Sequence, residues 1–115
     1  MSDDCLFCKI LAGDIPSDKV AETDKVYAFR DIQPVASTHV LVIPREHIES
    51  ADTVGPEHGA LLAEMIATAQ QIARSEGVEQ SGYRLVFNVG DDANNTVPHL
   101  HLHVIGGRRM GWPPG

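Results

Sequence analysis

Cationic side chains are scarce. Nine lysines and arginines stand against sixteen aspartates and glutamates, and the 115-residue chain has a net charge of -7. A surface of that sign does not wrap a nucleic acid backbone, whose phosphates need a cationic face. It leaves room for a small phosphorylated ligand, because a pocket can be locally rich in N–H donors inside an acidic protein. Long apolar runs are also missing. None approaches the roughly 20 residues that a membrane helix needs. The acidic start Met1-Ser2-Asp3-Asp4 leads into no apolar stretch of the kind a secretory signal carries. The expectation is a cytoplasmic protein with neither nucleic acid nor membrane as partner. Cysteine is limited to Cys5 and Cys8. That is no disulfide framework, and a Cys-x-x-Cys in a cytoplasmic chain points to metal or redox chemistry. There is no internal repeat, no low-complexity segment and no Walker-type phosphate loop. What remains is an ordinary globular composition, 43% hydrophobic and 22% charged, of a length that predicts a single domain over residues 1–115.

The order of elements favours α+β. Residues 4–12 read as a short helix closed by Gly13. Short strands follow at 20–22 and 26–30, with a turn at Thr23-Asp24. His39-Val40-Leu41-Val42-Ile43 is an almost unbroken apolar run, so a central strand, ended by Pro44. From about Glu57 to Ser75, Leu61, Leu62, Met65, Ile66, Ala69, Ile72 and Ala73 recur at helical spacing, and Gly77 stops the helix. Tyr83 to Val89 and His99 to Ile105 are the last strands, around a polar loop at 90–95. The Gly- and Pro-rich tail 106–115 is extended. Strands cluster on both sides of the long helix instead of alternating with it, which predicts an antiparallel sheet of about five strands with one long and one short helix.

The most informative stretch is Pro98-His99-Leu100-His101-Leu102-His103-Val104-Ile105. Alternate side chains of a strand share a face. His99, His101 and His103 therefore lie together, opposite Leu100, Leu102 and Val104. One histidine would read as a solvated face. Three in strict alternation bring six ring nitrogens to be satisfied, a costly filling. Two chemistries compete for them. Same-face neighbours lie about 6.6 Å apart along a strand, so two imidazoles could share a metal while three would struggle. The alternative is a phosphate site, where a neutral imidazole attacks and its neighbours steady the phosphoryl oxygens.

This heptad resembles the defining motif of the histidine triad superfamily, in which three histidines alternate with apolar residues. The likeness extends to Cys5-Leu6-Phe7-Cys8-Lys9-Ile10, Ala28-Phe29-Arg30-Asp31-Ile32, Thr38 through Ile48, and the tail Gly106 through Gly115. These are similar to the histidine triad nucleotide-binding branch over nearly the whole chain. The resemblance implies a homodimeric hydrolase that cleaves nucleotide derivatives such as AMP-amine phosphoramidates. It makes His101 the nucleophile that forms a nucleotidyl-histidine, His103 a phosphate contact, and His39 a fourth histidine near the nucleophile that relays a proton. It places Asn88 and Thr96 at the phosphate, and Asp31 at the ribose hydroxyls. An Asp before Pro34 is by itself more often a turn former. Leu6, Phe7, Ile10, Phe29 and Ile32 correspond to the pocket for the base, although such residues also simply build cores.

Cys5 and Cys8 supply two ligands, whereas structural zinc wants four. The resemblance completes the set with His47 and His99 and implies a structural zinc ion. The plain alternative is two small buried hydrophobes. His58 has no evident partner and reads as solvated. The chain departs from the family before the triad, where Asn94-Asn95-Thr96-Val97-Pro98 has Asn94 in place of a Gly, which predicts a differently shaped loop. Three rival functions stay open: a dinucleoside polyphosphate hydrolase, a nucleotide-binding regulatory module with little turnover, and a small metalloenzyme.

Overall fold

The structure is a computed structural model that describes residues 4–115; the start Met1-Ser2-Asp3 lies outside them. The regular elements are α1 (Leu6–Leu11), β1 (Lys19–Glu22), β2 (Val26–Arg30), β3 (Thr38–Pro44), α2 (Gly59–Ser75), β4 (Tyr83–Val86) and β5 (Leu102–Gly106), with single 3-10 turns at Ala51–Thr53, Pro56–His58 and Asp91–Ala93. The strands form one antiparallel sheet in the order β1-β2-β3-β5-β4. This is the α+β architecture that the sequence predicts.

Strand β3 is buried along its whole length. Val40 and Val42 point to one face, where they join Val26, Ala28, Leu102 and Val104 under Met65, Ala69 and Ile72 of α2. Leu41 and Ile43 point to the other face and pack with Phe29, Phe7, Cys5 and Cys8. A strand covered on both sides needs apolar residues at successive positions, which accounts for the run that begins after His39. The two faces are unequally covered. α2 has 17 residues and roofs its side, whereas α1 has six and covers only part of the other. The histidines collect on the partly covered side.

Several boundaries differ from the sequence prediction for identifiable reasons. The last strand is Leu102–Gly106 rather than His99–Ile105. Its ladder with β3 stops at the Val42–Leu102 pair, because the next backbone groups are engaged elsewhere. Leu100 N–H donates to the Ile48 carbonyl, and the Pro44 carbonyl takes the His99 ring at 3.0 Å. Proline has no N–H with which to extend the ladder. The long helix starts at Gly59 after a 3-10 turn beginning at Pro56. β4 ends at Val86 rather than Val89. The first helix loses its predicted start because Cys5 is its N-cap, its Sγ accepting from the Cys8 N–H at 3.2 Å. His58 is not solvated as expected: its Nδ1 accepts from the Gly55 N–H at 3.0 Å and so fixes the entry to α2. Asn94 occupies the left-handed region, φ 60° and ψ 38°. Asparagine tolerates that conformation much as glycine does, so this residue alone imposes no new loop path.

Candidate active site and metal centre

Leu100, Leu102 and Val104 are buried in the α2 core, and the intervening histidines lie on the opposite side, as the alternation predicts. There a cleft of about 530 Å³ opens. His101 and His103 line it together with all eight residues expected to contact substrate: Leu6, Phe7, Ile10, Phe29, Asp31, Ile32, Asn88 and Thr96. Its apolar wall comes from α1 and β2, and its polar end from the loop before the triad. Phe7 presents its ring edge-on to His101, with centroids 5.1 Å apart. A larger cleft of about 820 Å³ lies by the tail, among Glu76, Tyr83, Arg84 and Arg109. It contains none of the triad, so volume does not identify the site here.

Hydrogen bonds fix the protonation of the histidines one after another. His101 Nδ1 lies 2.7 Å from the His99 carbonyl oxygen. A carbonyl only accepts, so Nδ1 carries the hydrogen and Nε2 keeps a free lone pair. His39 is buried and receives the Val35 backbone N–H on its Nδ1 at 3.1 Å. Its hydrogen is therefore on Nε2, which lies 2.9 Å from His103 Nδ1. His103 Nδ1 accepts, and its own hydrogen sits on Nε2. The Asn88 amide nitrogen, itself a donor, is 3.5 Å from that atom and makes no hydrogen bond with it, so the His103 N–H is available to a ligand. The hydrogen bond of His39 thus goes to His103, with His101 next in line at a ring separation of 5.0 Å.

Asp31 combines the turn role with a place in the cleft. One oxygen accepts from the Gln33 N–H at 2.9 Å, and the other stands 3.3 Å from His39 Nε2. Asp31, His39 and His103 bring three ligand atoms within 4.8 Å of one another. They do not suit a metal ion, because the Val35 N–H occupies His39 Nδ1 and forces the hydrogen onto the nitrogen that would have to ligate.

Burial pushes His103 down to about 4, helped by the His101 and His39 imidazoles and opposed by Asp31. Burial also lowers His39, against the pull of Asp31. Both rings are neutral in the folded protein at pH values where the unfolded chain, with imidazoles near 6.5, has begun to bind protons. The unfolded state then holds more protons, so stability is greatest above the unfolded value and is lost as pH falls. The urea midpoint should drop between about pH 7 and about pH 4. A His39→Gln, His103→Gln double variant should show a shallower drop, and an unchanged slope would refute this assignment.

The second cluster has different chemistry. Donor atoms of Cys5, Cys8, His47 and His99 all lie within 4.8 Å of one another. Cys5 Sγ is 3.2 Å from His99 Nδ1, Cys8 Sγ is 3.3 Å from His47 Nδ1, and the two Nδ1 atoms are 3.2 Å apart. Tetrahedral zinc with ordinary bond lengths would set these edges at about 3.3–3.6 Å. The tautomer fits as well. The fully buried His99 donates Nε2–H to the Pro44 carbonyl at 3.0 Å, so its lone pair is on Nδ1, the atom turned toward the sulfurs. Such an outer hydrogen bond is what orients a ligating imidazole. Burial pushes the Cys8 thiol up to about 11, with Cys5 adding to the effect. A thiol of that kind is a poor nucleophile and becomes a thiolate only beside a cation. These residues fit a tetrahedral metal ion, and a redox role fits them poorly.

Val35, the Pro44 carbonyl and the His99 carbonyl give no sign in the sequence of being functional groups. All three act through the backbone, which leaves no mark in residue type. The sequence also gives Arg108 no role, although Arg108 Nε donates to the Val35 carbonyl at 2.8 Å.

Comparison with known proteins agrees with this geometry. A family model described as the HIT domain matches residues 12–110. A HIT-like protein of Synechococcus elongatus is 46% identical over 115 residues, covering 100% of both chains. The purine nucleoside phosphoramidase of Escherichia coli is 43% identical over 111 residues, 96% of this chain and 93% of that one. Among solved structures, a HIT family hydrolase from Legionella pneumophila superposes with a TM-score of 0.95 at 48% identity, covering 97% of this chain and 100% of the other.

Proposed function

Since the chain belongs to the histidine triad (HIT) family, we propose that it hydrolyses purine nucleoside phosphoramidates through a nucleotidyl intermediate on His101. The observation that carries this proposal is the 2.7 Å hydrogen bond from His101 Nδ1 to the His99 carbonyl. It leaves the Nε2 lone pair of a cleft-lining imidazole free to attack phosphorus. The Escherichia coli relative named a purine nucleoside phosphoramidase supports the substrate class.

The apolar wall of Leu6, Phe7, Ile10, Phe29 and Ile32 receives the base. Asp31 accepts from the ribose hydroxyls with the lone pairs left over from its turn, since a carboxylate offers about four. His103 Nε2–H, Asn88 and Thr96 hold the phosphoryl oxygens, where charge builds in the transition state. As Nε2 of His101 bonds to phosphorus, the phosphorus–nitrogen bond breaks and the departing amine takes a proton. That proton comes from solvent by way of the hydrogen-bonded His39–His103 pair, and the water that attacks next returns one along the same path. Water then cleaves the phosphorus–His101 bond, releasing the nucleoside monophosphate and restoring the ring.

The reading includes a structural zinc ion held by Cys5, Cys8, His47 and His99, supported by the donor spacing and the His99 tautomer. Zinc there would tie α1 and the triad segment together, while the chemistry belongs to His101. The protein works as a cytoplasmic homodimer, which a solution mass at micromolar concentration checks. Two cysteines free of any disulfide are compatible with a reducing compartment.

Rapid quenching of an adenosine phosphoramidate reaction, followed by peptide mass analysis, tests the central claim. The expected result is an adenylyl group on the peptide bearing His101. Turnover without any adduct would mean that water attacks directly. Preferred cleavage of dinucleoside polyphosphates would reassign the substrate class.

A further inference from the structure

Tail and active site meet at the loop between β2 and β3. Val35 is half exposed, yet it is held at both of its backbone groups. Its N–H donates to His39 Nδ1, and its carbonyl accepts from Arg108 Nε in the segment after β5. One residue earlier the same tail presses on the same loop. A Cβ built on Gly107 would collide with Ser37 Oγ, and its φ of +97° is one that other residues rarely adopt. Arg108 and Gly107 therefore clasp residues 35–37 against the sheet.

We propose that Arg108 is a positioning residue for catalysis: by holding Val35 in place, it decides which nitrogen of His39, and through it of His103, carries the hydrogen. A neutral imidazole has two tautomers, and a single N–H aimed at Nδ1 selects the one with hydrogen on Nε2. His39 then donates to His103, and His103 presents Nε2–H to the cleft. Without the Val35 N–H, only the Asp31 carboxylate 3.3 Å from His39 Nε2 opposes reversal of the His39–His103 bond. His103 would then donate from Nδ1 and turn a lone pair toward the phosphoryl oxygens. A donor becomes an acceptor at the point where negative charge grows, so the cost falls on the transition state more than on binding of the nucleotide. The inference rests on the phosphate role proposed for His103.

The test reads tautomers directly, by two-bond ¹⁵N–¹H correlation on histidine-labelled protein, alongside steady-state kinetics. The wild-type protein should show His39 and His103 with hydrogen on Nε2. Arg108→Ala should give mixed tautomers at both rings, with kcat down roughly tenfold and KM within about twofold. Arg108→Lys, which keeps a donor on a flexible stem, should regain most of the rate, and Arg109→Ala should match wild type. Unchanged tautomers in Arg108→Ala would overturn the proposal, as would a loss confined to KM. If Arg108→Ala does not fold, Gly107→Ala strikes the same clasp from the glycine side and is read in the same way. The spectrum needs no substrate. Tautomers scrambled by Arg108→Ala in a protein that turns over no phosphoramidate would refute the hydrolase reading and uphold the clasp.

Discussion

His101→Ala should reduce phosphoramidate turnover by at least about a thousandfold, because it removes the atom that bonds to phosphorus. Nucleotide affinity should survive, with the Kd for AMP within about fivefold of wild type, since the contacts proposed for base and ribose come from α1, β2 and Asp31. Initial rates paired with calorimetric titration of AMP separate the two effects. His39→Ala should cost less, on the order of a hundredfold with an amine leaving group. It should cost least when the leaving group departs without a proton. Near wild-type turnover by His101→Ala would show that the 2.7 Å bond to the His99 carbonyl has no bearing on the chemistry.

The double substitution Cys5→Ser, Cys8→Ser should strip the metal and cost on the order of 4 kcal/mol. That is well below the ten or more of a peptide that folds only around zinc, because the α2 core stands without it. At 4–8 °C per kcal/mol for domains somewhat smaller than this one, the thermal midpoint should fall by more than about 10 °C. Elemental analysis of the purified wild type should find about one zinc per chain, and a chelator should reproduce much of the loss. A metal-free wild type with two titratable thiols and an unaltered midpoint would return Cys5 and Cys8 to the status of packed apolar side chains.

The sequence was legible where a single period or a local motif decided the outcome. β2 follows from the weak alternation of Val26 to Arg30, β3 from an apolar, largely β-branched run, and α2 from a repeat of apolar residues every three to four positions. The triad follows from strict alternation, with Leu100, Leu102 and Val104 in the core as the pattern requires. Legibility failed where distant backbone groups intervened. His99 leaves the ladder because Ile48 and Pro44, some fifty residues away, take the Leu100 N–H and the His99 ring. His58 looked partnerless because one ring nitrogen is met by the Gly55 backbone N–H and the other by Glu46, twelve residues away. The control of His39 by Val35 and Arg108 was hidden for the same reason, since any residue but proline at 35 brings the same N–H.

His99 occupies a junction between the two clusters. Its ring turns Nδ1 toward the cysteines, while its carbonyl accepts the hydrogen bond of His101 Nδ1–H. Mutational paths through this protein are therefore ordered. A lineage that discards the cysteines first leaves His99 held only by Pro44 and the backbone bonds beside it, and loosens aim at the nucleophile in the same step. One that first strengthens the apolar packing of Phe7 and Ile43 against the positions of Cys5 and Cys8 keeps that carbonyl in place without a metal, and can then shed the ligands singly. The cluster that takes no part in the chemistry thus restricts the order in which the neighbouring catalytic centre can evolve.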